Sequence, residues 1–217
     1  MDARITILGS NPSYINNLLR ELRDEKIQAD RMRFRSNMER VGMLMAYELS
    51  KELSYESQEI TTPLGTLAMD LLAEQPVLVS ILRAGLPFHQ GFLKLFDNAD
   101  NGFISAYRHH TRGNEFIVKV EYLAIPDITN RTLILVDPMI ATGQSLVLSY
   151  KEVVEAAGKP EKVIICGVVA SEEGIEYLTR SIPNCQVYVL AVDKELTAKA
   201  YIVPGLGDAG DLAFGPK

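Results

Sequence analysis

The chain has 217 residues, of which 47% are hydrophobic and 23% charged, a composition that excludes a largely disordered protein and can supply one core. Its 28 acidic and 22 basic residues give a net charge of −6, which disfavours a nucleic-acid partner because polyanions are repelled. Cys166 and Cys185 suggest neither a disulfide framework nor a zinc site, and no apolar run approaches the ~18 residues of a membrane span. We expect a single domain over residues 1–217 in a cytoplasmic protein, with no membrane or nucleic-acid partner.

Two amphipathic helices are predicted in the first 53 residues. Asn11 followed by Pro12 is typical of a helix N-terminus, and apolar residues recur at helical spacing over 15–22. A longer helix is expected after Asp30, because apolar residues step by three or four positions over 34–53. Its methionines favour core packing over a partner-binding surface, and its arginines at positions 31, 33 and 35 favour a solvated face.

From residue 76 onward, short β-branched runs alternate with helical patterns, which predicts parallel strands joined by helices. The runs are continuously apolar, as a sheet covered on both faces requires. The predicted fold class is α/β, with an open, mainly parallel five-stranded sheet flanked by helices. Strands are predicted over 77–81, 103–107, 132–136, 162–169 and 186–192, and helices over 87–96, 145–157 and 172–180. The polar segment 108–131 breaks the alternation and predicts a β-hairpin arm.

The loop after the third predicted strand has the residues of a phosphate site. Asp137 ends the strand, and Thr142, Gly143 and Ser145 lead into a helix, where backbone N–H groups and hydroxyls can bind phosphate. A carboxylate such as Asp137 can accept hydrogen bonds from sugar hydroxyls. This loop contains neither GK[ST] nor GxGxxG, which disfavours a nucleoside triphosphatase or dinucleotide site there. The pattern predicts a phosphorylated-sugar site, with an ordinary capped turn as the alternative.

Four segments resemble the uracil phosphoribosyltransferases. VDPMIATGQS at 136–145 is similar to the phosphoribosyl diphosphate (PRPP) signature, in the Asp-Pro-Met form of the uracil branch. SILRAG at 80–85, the Tyr107–Arg108 pair and YIVPGLGDAGDLAFG at 201–215 agree with the family in order and spacing. The resemblance implies the phosphoribosyltransferase fold with a C-terminal base-binding hood. It also implies the reaction of uracil with PRPP to give UMP and pyrophosphate, a pyrimidine salvage step.

The resemblance assigns the site residue by residue. The expected catalytic residues are Arg83 and Arg108, on the pyrophosphate, and Asp208, which faces both PRPP and the base. The expected PRPP loop comprises Asp137, Pro138, Met139, Ile140, Ala141, Thr142, Gly143, Gln144 and Ser145. The expected uracil pocket comprises Ile202, Gly207, Asp208 and Ala209. Mg²⁺ is the expected cofactor, held mainly through PRPP rather than by direct protein ligands.

Several expectations stay open at this point. The family has a small residue at position 144, so Gln144 would be strained if this position required a positive φ. The glycine-rich segment at 205–210 predicts a rigid loop with neither helix nor strand, and a disordered tail is the alternative. His89, His109 and His110 are expected to be non-catalytic, with the last two as a candidate lid over the phosphates.

The alternatives concern both function and partners. A salt bridge is the alternative role of Arg83. The alternative functions are a non-catalytic nucleotide- or RNA-binding regulator on the same fold, which the acidic net charge disfavours, and transfer to another base. The exposed arm and the Met-rich helix predict a homodimer or higher homo-oligomer, and GTP is an open candidate as a nucleotide effector.

Overall fold

The computed structural model describes residues 2–110 and 116–216, without the side chains of 106–110 and 116–120. The helices are α1 (Tyr14–Arg23), α2 (Glu25–Gln28), α3 (Arg31–Ser50), α4 (Gly85–Leu93), α5 (Gln144–Ala157), α6 (Glu172–Ser181) and α7 (Ala209–Phe214). The strands are β1 (Ile5–Ile7), β2 (Tyr55–Thr62), β3 (Gly65–Leu72), β4 (Val77–Leu82), β5 (Asp100–His110), β6 (Phe116–Ala124), β7 (Thr132–Val136), β8 (Met139–Ile140), β9 (Lys162–Cys166), β10 (Val169–Ser171), β11 (Cys185–Val189), β12 (Ala191–Asp193), β13 (Glu195–Leu196) and β14 (Ile202–Val203). None of the helices in these ranges is both long enough and apolar enough to cross a bilayer.

The main sheet confirms the predicted α/β class but has seven strands instead of five. Its order is β1-β11-β9-β7-β4-β5-β6, and every neighbouring pair is parallel except β5 with β6. The two added strands are β1 and β6, one at each edge. The three-residue β1 is too short to give a periodic signal, and β6 belongs to the segment that was predicted as an arm.

Helices cover both faces of the main sheet. Along β4 and β7, successive side chains point to opposite faces: Leu78 and Ile134 pack in the core beneath α1, α3 and α4, whereas Val77 and Leu133 pack beneath α5 and α6. All four of these side chains are fully buried. The strands are continuously apolar because helices cover the sheet on both faces, as predicted.

A second, three-stranded sheet extends the fold toward the carboxyl ends of the main strands. Its order is β12-β10-β8, and all its pairs are parallel. The two long strands predicted over 162–169 and 186–192 are each broken in two, at Gly167 and at Leu190, because the chain turns there to leave one sheet and join the next. Gly167 N–H donates to the Tyr188 carbonyl at 2.9 Å, and Leu190 N–H donates to the Val168 carbonyl at 3.1 Å.

Of the two predicted N-terminal helices, α1 differs from prediction at its start and α3 at its end, which is Ser50 rather than residue 53; the short α2 was not predicted. The N-cap of α1 is Ser13, so the predicted start at Asn11–Pro12 is two residues early. The start of α3 is confirmed, because the Asp30 carboxylate accepts hydrogen bonds from the N–H groups of Met32 and Arg33 at 2.9 and 3.1 Å.

The methionines of α3 pack in the core as predicted, but its arginines are not all solvated. Met38 and Met45 are fully buried in the core. Arg31 and Arg33 are exposed, as expected. Arg35 is half-buried and donates to the Ala213 carbonyl at 2.7 Å, so the prediction of a solvated face is wrong for this residue. Its partner lies 178 positions away, which no local pattern reveals.

The described residues form three β-hairpins, β2–β3, β5–β6 and the short β13–β14, of which the sequence predicted one. The β5–β6 hairpin includes the predicted arm and begins earlier, at Asp100, with a register shift between Ser105 and Ala106. The β2–β3 hairpin was not predicted, although Pro63 and Gly65 occupy the second and fourth positions of its turn, where proline and glycine favour a type I turn.

Candidate active site

A cleft opens at the point in the main sheet where the order of strand connections reverses. The strands β4 and β7 are neighbours, but the chain continues from β4 to one edge of the sheet and from β7 to the other, and ligands of open parallel sheets bind at such a point. The cleft has a volume of about 150 Å³, and its lining residues are Ile81, Leu82, Arg83, Ala84, Asp137, Ser145, Asp208 and Gly210. Three distant segments of the chain thus meet there: the loop after β4, the loop after β7 and the start of α7.

The loop after β7 is held in place by hydrogen bonds of its backbone to other backbone groups and to the side chains of Asp137 and Ser171. Asp137 N–H donates to the Cys166 carbonyl at 3.0 Å, and the Asp137 carboxylate accepts from Met139 N–H at 3.3 Å. Farther along, the Ser171 hydroxyl donates to the Ala141 carbonyl at 2.5 Å and accepts from Gly174 N–H at 2.8 Å. The start of α6 therefore fixes the position of this loop through Ser171.

Gly143 makes the turn from this loop into α5. It is the N-cap of α5, with φ of +74°, and a Cβ atom there would lie 2.8 Å from the Gly174 carbonyl oxygen. Both the backbone conformation and the close approach of α6 thus require glycine. The first N–H groups of α5 have no acceptor within the helix and carry its positive partial charge, and Ser145, in this first turn, lines the cleft.

The strain considered for Gln144 is absent. Gln144 is the first residue of α5 and is exposed, and the positive φ belongs to Gly143 instead. Of the nine predicted loop residues, Asp137 and Ser145 line the cleft. Ile140 is fully buried in the core, and the Pro138 carbonyl accepts from Val168 N–H at 2.9 Å, so these two residues hold the loop against the second sheet.

Arg83 follows β4 and reaches across the cleft to the C-terminal segment. Its Nη2 lies 2.9 Å from Asp211 Oδ1, and its Nη1 donates to the Gly215 carbonyl at 3.4 Å. Its side chain is 35% exposed, so the cation is available to a ligand in the cleft. The salt bridge considered for Arg83 therefore exists, but within the cleft rather than away from it.

The C-terminal segment differs from the predicted rigid loop. Its first part is extended, since β14 pairs antiparallel with β13. Its second part is the short helix α7, and the prediction of no helix is wrong. The glycines at 207 and 215 flank this helix, and the Asp208 carboxylate caps it by accepting from Asp211 N–H at 2.9 Å. Asp208 and Asp211 are three positions apart and resemble a capping box, a local pattern that indicates the start of a helix.

The predicted uracil-pocket residues lie together, but in different environments. Asp208 lines the cleft and is exposed, and Gly207 before it is exposed with φ of +93°. Ile202 and Ala209 are buried at 4% and 3% exposure and pack in the core. Any contact of this segment with a base therefore depends on its backbone and on Asp208, rather than on the Ile202 side chain.

Comparison with known proteins identifies the family. The sequence model of the uracil phosphoribosyltransferases matches residues 10–216. The chain belongs to the uracil phosphoribosyltransferase family. It is 46% identical over 211 residues to the uracil phosphoribosyltransferase of Porphyromonas gingivalis, with 97% of each chain covered. It is 40% identical over 207 residues to that of Thermococcus gammatolerans, covering 93% of this chain and 89% of the relative.

A solved structure agrees over the whole chain. A protein from Aquifex aeolicus superposes with a TM-score of 0.86 at 29% identity, covering 97% of this chain and 98% of the other. The family match itself spans residues 10–216 of the present chain, so the four resembling segments are parts of one nearly full-length match.

Arg108 and the three histidines complete the set of residues considered in the sequence. Arg108 lies in β5 opposite Val118 of β6, and its side chain lies outside the described part of the structure, as do those of His109 and His110. His89 is fully buried in α4, where its ring packs edge-on against Phe103 with centroids 5.3 Å apart. Desolvation lowers the pKa of His89, which favours the neutral imidazole.

Proposed function

We propose that this protein transfers the phosphoribosyl group of PRPP to uracil, giving UMP and pyrophosphate in pyrimidine salvage. The observation that carries the proposal is the meeting of Arg83, Asp137, Ser145 and Asp208 in one cleft at the switch point of the sheet. These residues supply a cation, a carboxylate for sugar hydroxyls, a helix N-terminus for a phosphate and a second carboxylate near the base. A phosphorylated sugar that carries a pyrophosphate needs this combination, and the family match favours uracil over other bases.

The reaction replaces one bond at the anomeric carbon by another. A ring nitrogen of uracil forms the new bond, the bond to the pyrophosphate oxygen breaks, and the ring proton leaves the base. Positive charge develops on the ribose and negative charge on the pyrophosphate, so positioning and charge stabilisation supply most of the catalysis.

Arg83 is proposed to bind the departing pyrophosphate, because its guanidinium can donate to two phosphate oxygens at once. Arg108 is proposed as the second pyrophosphate ligand. The first turn of α5, with Thr142, Gly143 and Ser145, is proposed to bind the terminal phosphate, and Asp137 the ribose hydroxyls. Positive charge from the protein would then face both anionic ends of PRPP.

The base is proposed to contact the segment of Ile202, Gly207, Asp208 and Ala209. Uracil presents an acceptor, a donor and an acceptor along one edge, which backbone groups can pair. Asp208 is proposed to face both PRPP and the base, and its carboxylate lies in the cleft that would hold them.

Mg²⁺ is proposed to accompany PRPP. In the described residues, no three His, Cys, Asp or Glu side chains form a metal cluster. The cleft offers the carboxylates of Asp137 and Asp208, which suit a cation that keeps several waters and is bound mainly through substrate phosphates. When bound, this cation would neutralise charge on the pyrophosphate.

We also propose a homo-oligomeric, cytoplasmic enzyme. Both cysteines are free and buried, as suits a reducing compartment. Exposed apolar side chains on the β2–β3 hairpin, including Leu64, Leu67 and Met69, support association of subunits. GTP as an effector remains a prediction from the resemblance.

The test is a competition between bases. Purified protein is supplied with PRPP, Mg²⁺ and equal concentrations of uracil and cytosine, and both nucleotide products are measured. We expect UMP in excess of CMP by about 10⁴-fold, because cytosine would leave buried backbone groups facing like partners. The matched control is Asp137→Asn, which keeps the shape of the cleft and is expected to be nearly inactive. UMP and CMP in comparable yield would refute backbone recognition, and product from a purine but not from uracil would overturn the function.

A further inference from the structure

An ion pair beside the C-terminal segment has no role in the site described above. Arg23, the last residue of α1, and Asp193, the last residue of β12, form two parallel hydrogen bonds: Nη1 to Oδ2 at 2.9 Å and Nη2 to Oδ1 at 3.0 Å. The two side chains are 21% and 10% exposed, and Asp193 is the least exposed carboxylate of any ion pair in the described residues. This pair is therefore shielded from water, unlike the exposed pairs at the surface.

The same two side chains hold both backbone polar groups of Gly205. Gly205 N–H donates to Asp193 Oδ2 at 3.0 Å, and Arg23 Nη1 donates to the Gly205 carbonyl at 3.2 Å. Gly205 has φ of +57°, and a Cβ atom there would lie 2.2 Å from the Ile202 carbonyl oxygen, so the chain turns tightly at this residue. The position of this turn is thus fixed by charged side chains from two other elements.

The anchored residue lies inside the segment that is proposed to read the base. Gly205 is three residues after Ile202 and two before Gly207, so a shift of its peptide groups would move the backbone on both sides. A buried ion pair often adds little net stability compared with apolar packing, because desolvation offsets much of the attraction. Its forked geometry, however, restricts position and direction more tightly than apolar contact does.

We propose that the Arg23–Asp193 clamp is a positioning device for the base: it sets the location of the backbone over 202–209 and thereby the affinity and selectivity for uracil. The inference rests on the proposed function, because it takes this segment as the uracil contact. Neither side chain is among the residues that line the cleft, so the clamp acts through Gly205 and does not touch the reacting atoms.

The test compares Asp193→Asn and Arg23→Lys with a matched control. Asp193→Asn replaces a carboxylate oxygen, which accepts hydrogen bonds from Arg23 and Gly205, by an NH₂ donor. Arg23→Lys keeps the positive charge but cannot form the two parallel hydrogen bonds of the guanidinium. The control is Asp100→Asn, which breaks the Asp100–Arg131 ion pair (2.6 Å) at the opposite ends of the strands. In both clamp variants we expect the KM for uracil to rise about tenfold or more, with the KM for PRPP changed less than about threefold. We also expect the preference for uracil over cytosine to fall, and all three quantities to stay at wild-type values in Asp100→Asn.

Thermal unfolding and calorimetric binding of PRPP accompany the kinetics, since they show whether a variant is folded. Folded clamp variants with an unchanged KM for uracil would overturn the proposal. So would a parallel rise of both KM values with a lower Tm, or loss of folding in both clamp variants while Asp100→Asn folds, because either result would make the pair a stability element. Absence of UMP formation by the wild-type protein would instead refute the proposed function itself.

Discussion

Arg83 combines an observed ion pair with a proposed role in binding pyrophosphate. Without substrate it is paired with Asp211, and five N–H donors give it the capacity to bind phosphate oxygens as well. We predict that Arg83→Ala lowers kcat/KM for PRPP by roughly 100-fold or more, because a charge-assisted contact to the leaving group is lost. Steady-state kinetics with varied PRPP measure the effect.

Asp211→Asn separates the two roles of Arg83. This variant removes the ion-pair partner at 2.9 Å but keeps the guanidinium, so a fall of less than about tenfold is expected. Folded Arg83→Ala protein with wild-type efficiency would show that Arg83 only ties α7 to the sheet. A collapse of activity in Asp211→Asn equal to that of Arg83→Ala would mean that orientation of the guanidinium matters as much as its presence.

Adjacent positions of the proposed PRPP loop should differ in how strongly substitution affects PRPP binding. We predict that Gly143→Ala weakens PRPP binding by about tenfold or more, because a residue with a side chain at positive φ costs roughly 1–2 kcal/mol and the new methyl group would meet the Gly174 carbonyl. Gln144→Gly and Gln144→Ala should change PRPP affinity less than about threefold, since Gln144 is exposed and helical. Calorimetric titration with PRPP decides both; loss of binding in Gln144→Gly would reveal a direct contact of the glutamine.

The contact between α1 and α3 predicts how stability depends on pH. Glu21 accepts hydrogen bonds from Arg33 at 2.9 and 2.7 Å and from the buried Asn37 at 2.7 Å. The Arg33 contact, followed by that with Asn37, lowers the pKa of Glu21 from 4.5 to about 2. A carboxylate with a lowered pKa stabilises the fold fully above its unfolded pKa, and this stabilisation is lost as the pH falls toward the folded value.

Removal of this carboxylate should therefore weaken the dependence of Tm on pH in the acid range. We predict that the Tm of Glu21→Gln falls less steeply than that of the wild-type protein between pH 4.5 and about 2. Glu48→Gln is the control, because its ion pair with Lys51 joins positions within one helix rather than two helices. Parallel curves for wild type and Glu21→Gln would contradict the assignment.

Local sequence patterns predicted the elements that have strong periodicity or clear boundaries. The Asp30 cap, the buried methionines of α3 and the apolar strands β4 and β7 follow from such patterns. The short β1 and the breaks at Gly167 and Leu190 do not, because they are decided by pairing with strands that are distant in the sequence. The α7 helix was not predicted, because the glycines at 205, 207 and 210 disfavour a helix, whereas the Asp208 cap favours one.

The site was predictable to the extent that motifs carry it. The family motifs place Arg83, Asp137, Ser145 and Asp208, and the fold brings these residues into one cleft. The partners of these residues were not predictable, because they depend on tertiary contacts: Arg83 meets Asp211 across 128 positions, and Arg23 meets Asp193 across 170. A single sequence shows which residue types are present but not which distant side chains orient them.

At the scale of the whole molecule, the β2–β3 hairpin leaves an apolar face uncovered. Directly opposite residues share a face, so Ile60, Leu67, Met69 and Leu71 lie on one side together with Glu56 and Gln58, and Thr61, Thr66 and Ala68 lie on the other. Leu67 and Met69 are each 45% exposed, and Leu64 in the turn is 99% exposed. An isolated two-stranded hairpin is marginally stable in water, so burial of this face against a second subunit would stabilise it.

We predict that the wild-type protein sediments as a dimer or larger assembly at micromolar concentration and that charge on the apolar face dissociates it. The variant Leu67→Lys with Met69→Lys should sediment as a monomer, because burial of two ammonium groups in an apolar interface is costly. The matched control, Thr66→Lys with Ala68→Lys, adds the same charge to the other face of the same strand and should keep the wild-type assembly. Dissociation of both variants would point to general charge repulsion, and a monomeric wild-type protein would refute the homo-oligomer; analytical ultracentrifugation distinguishes these results.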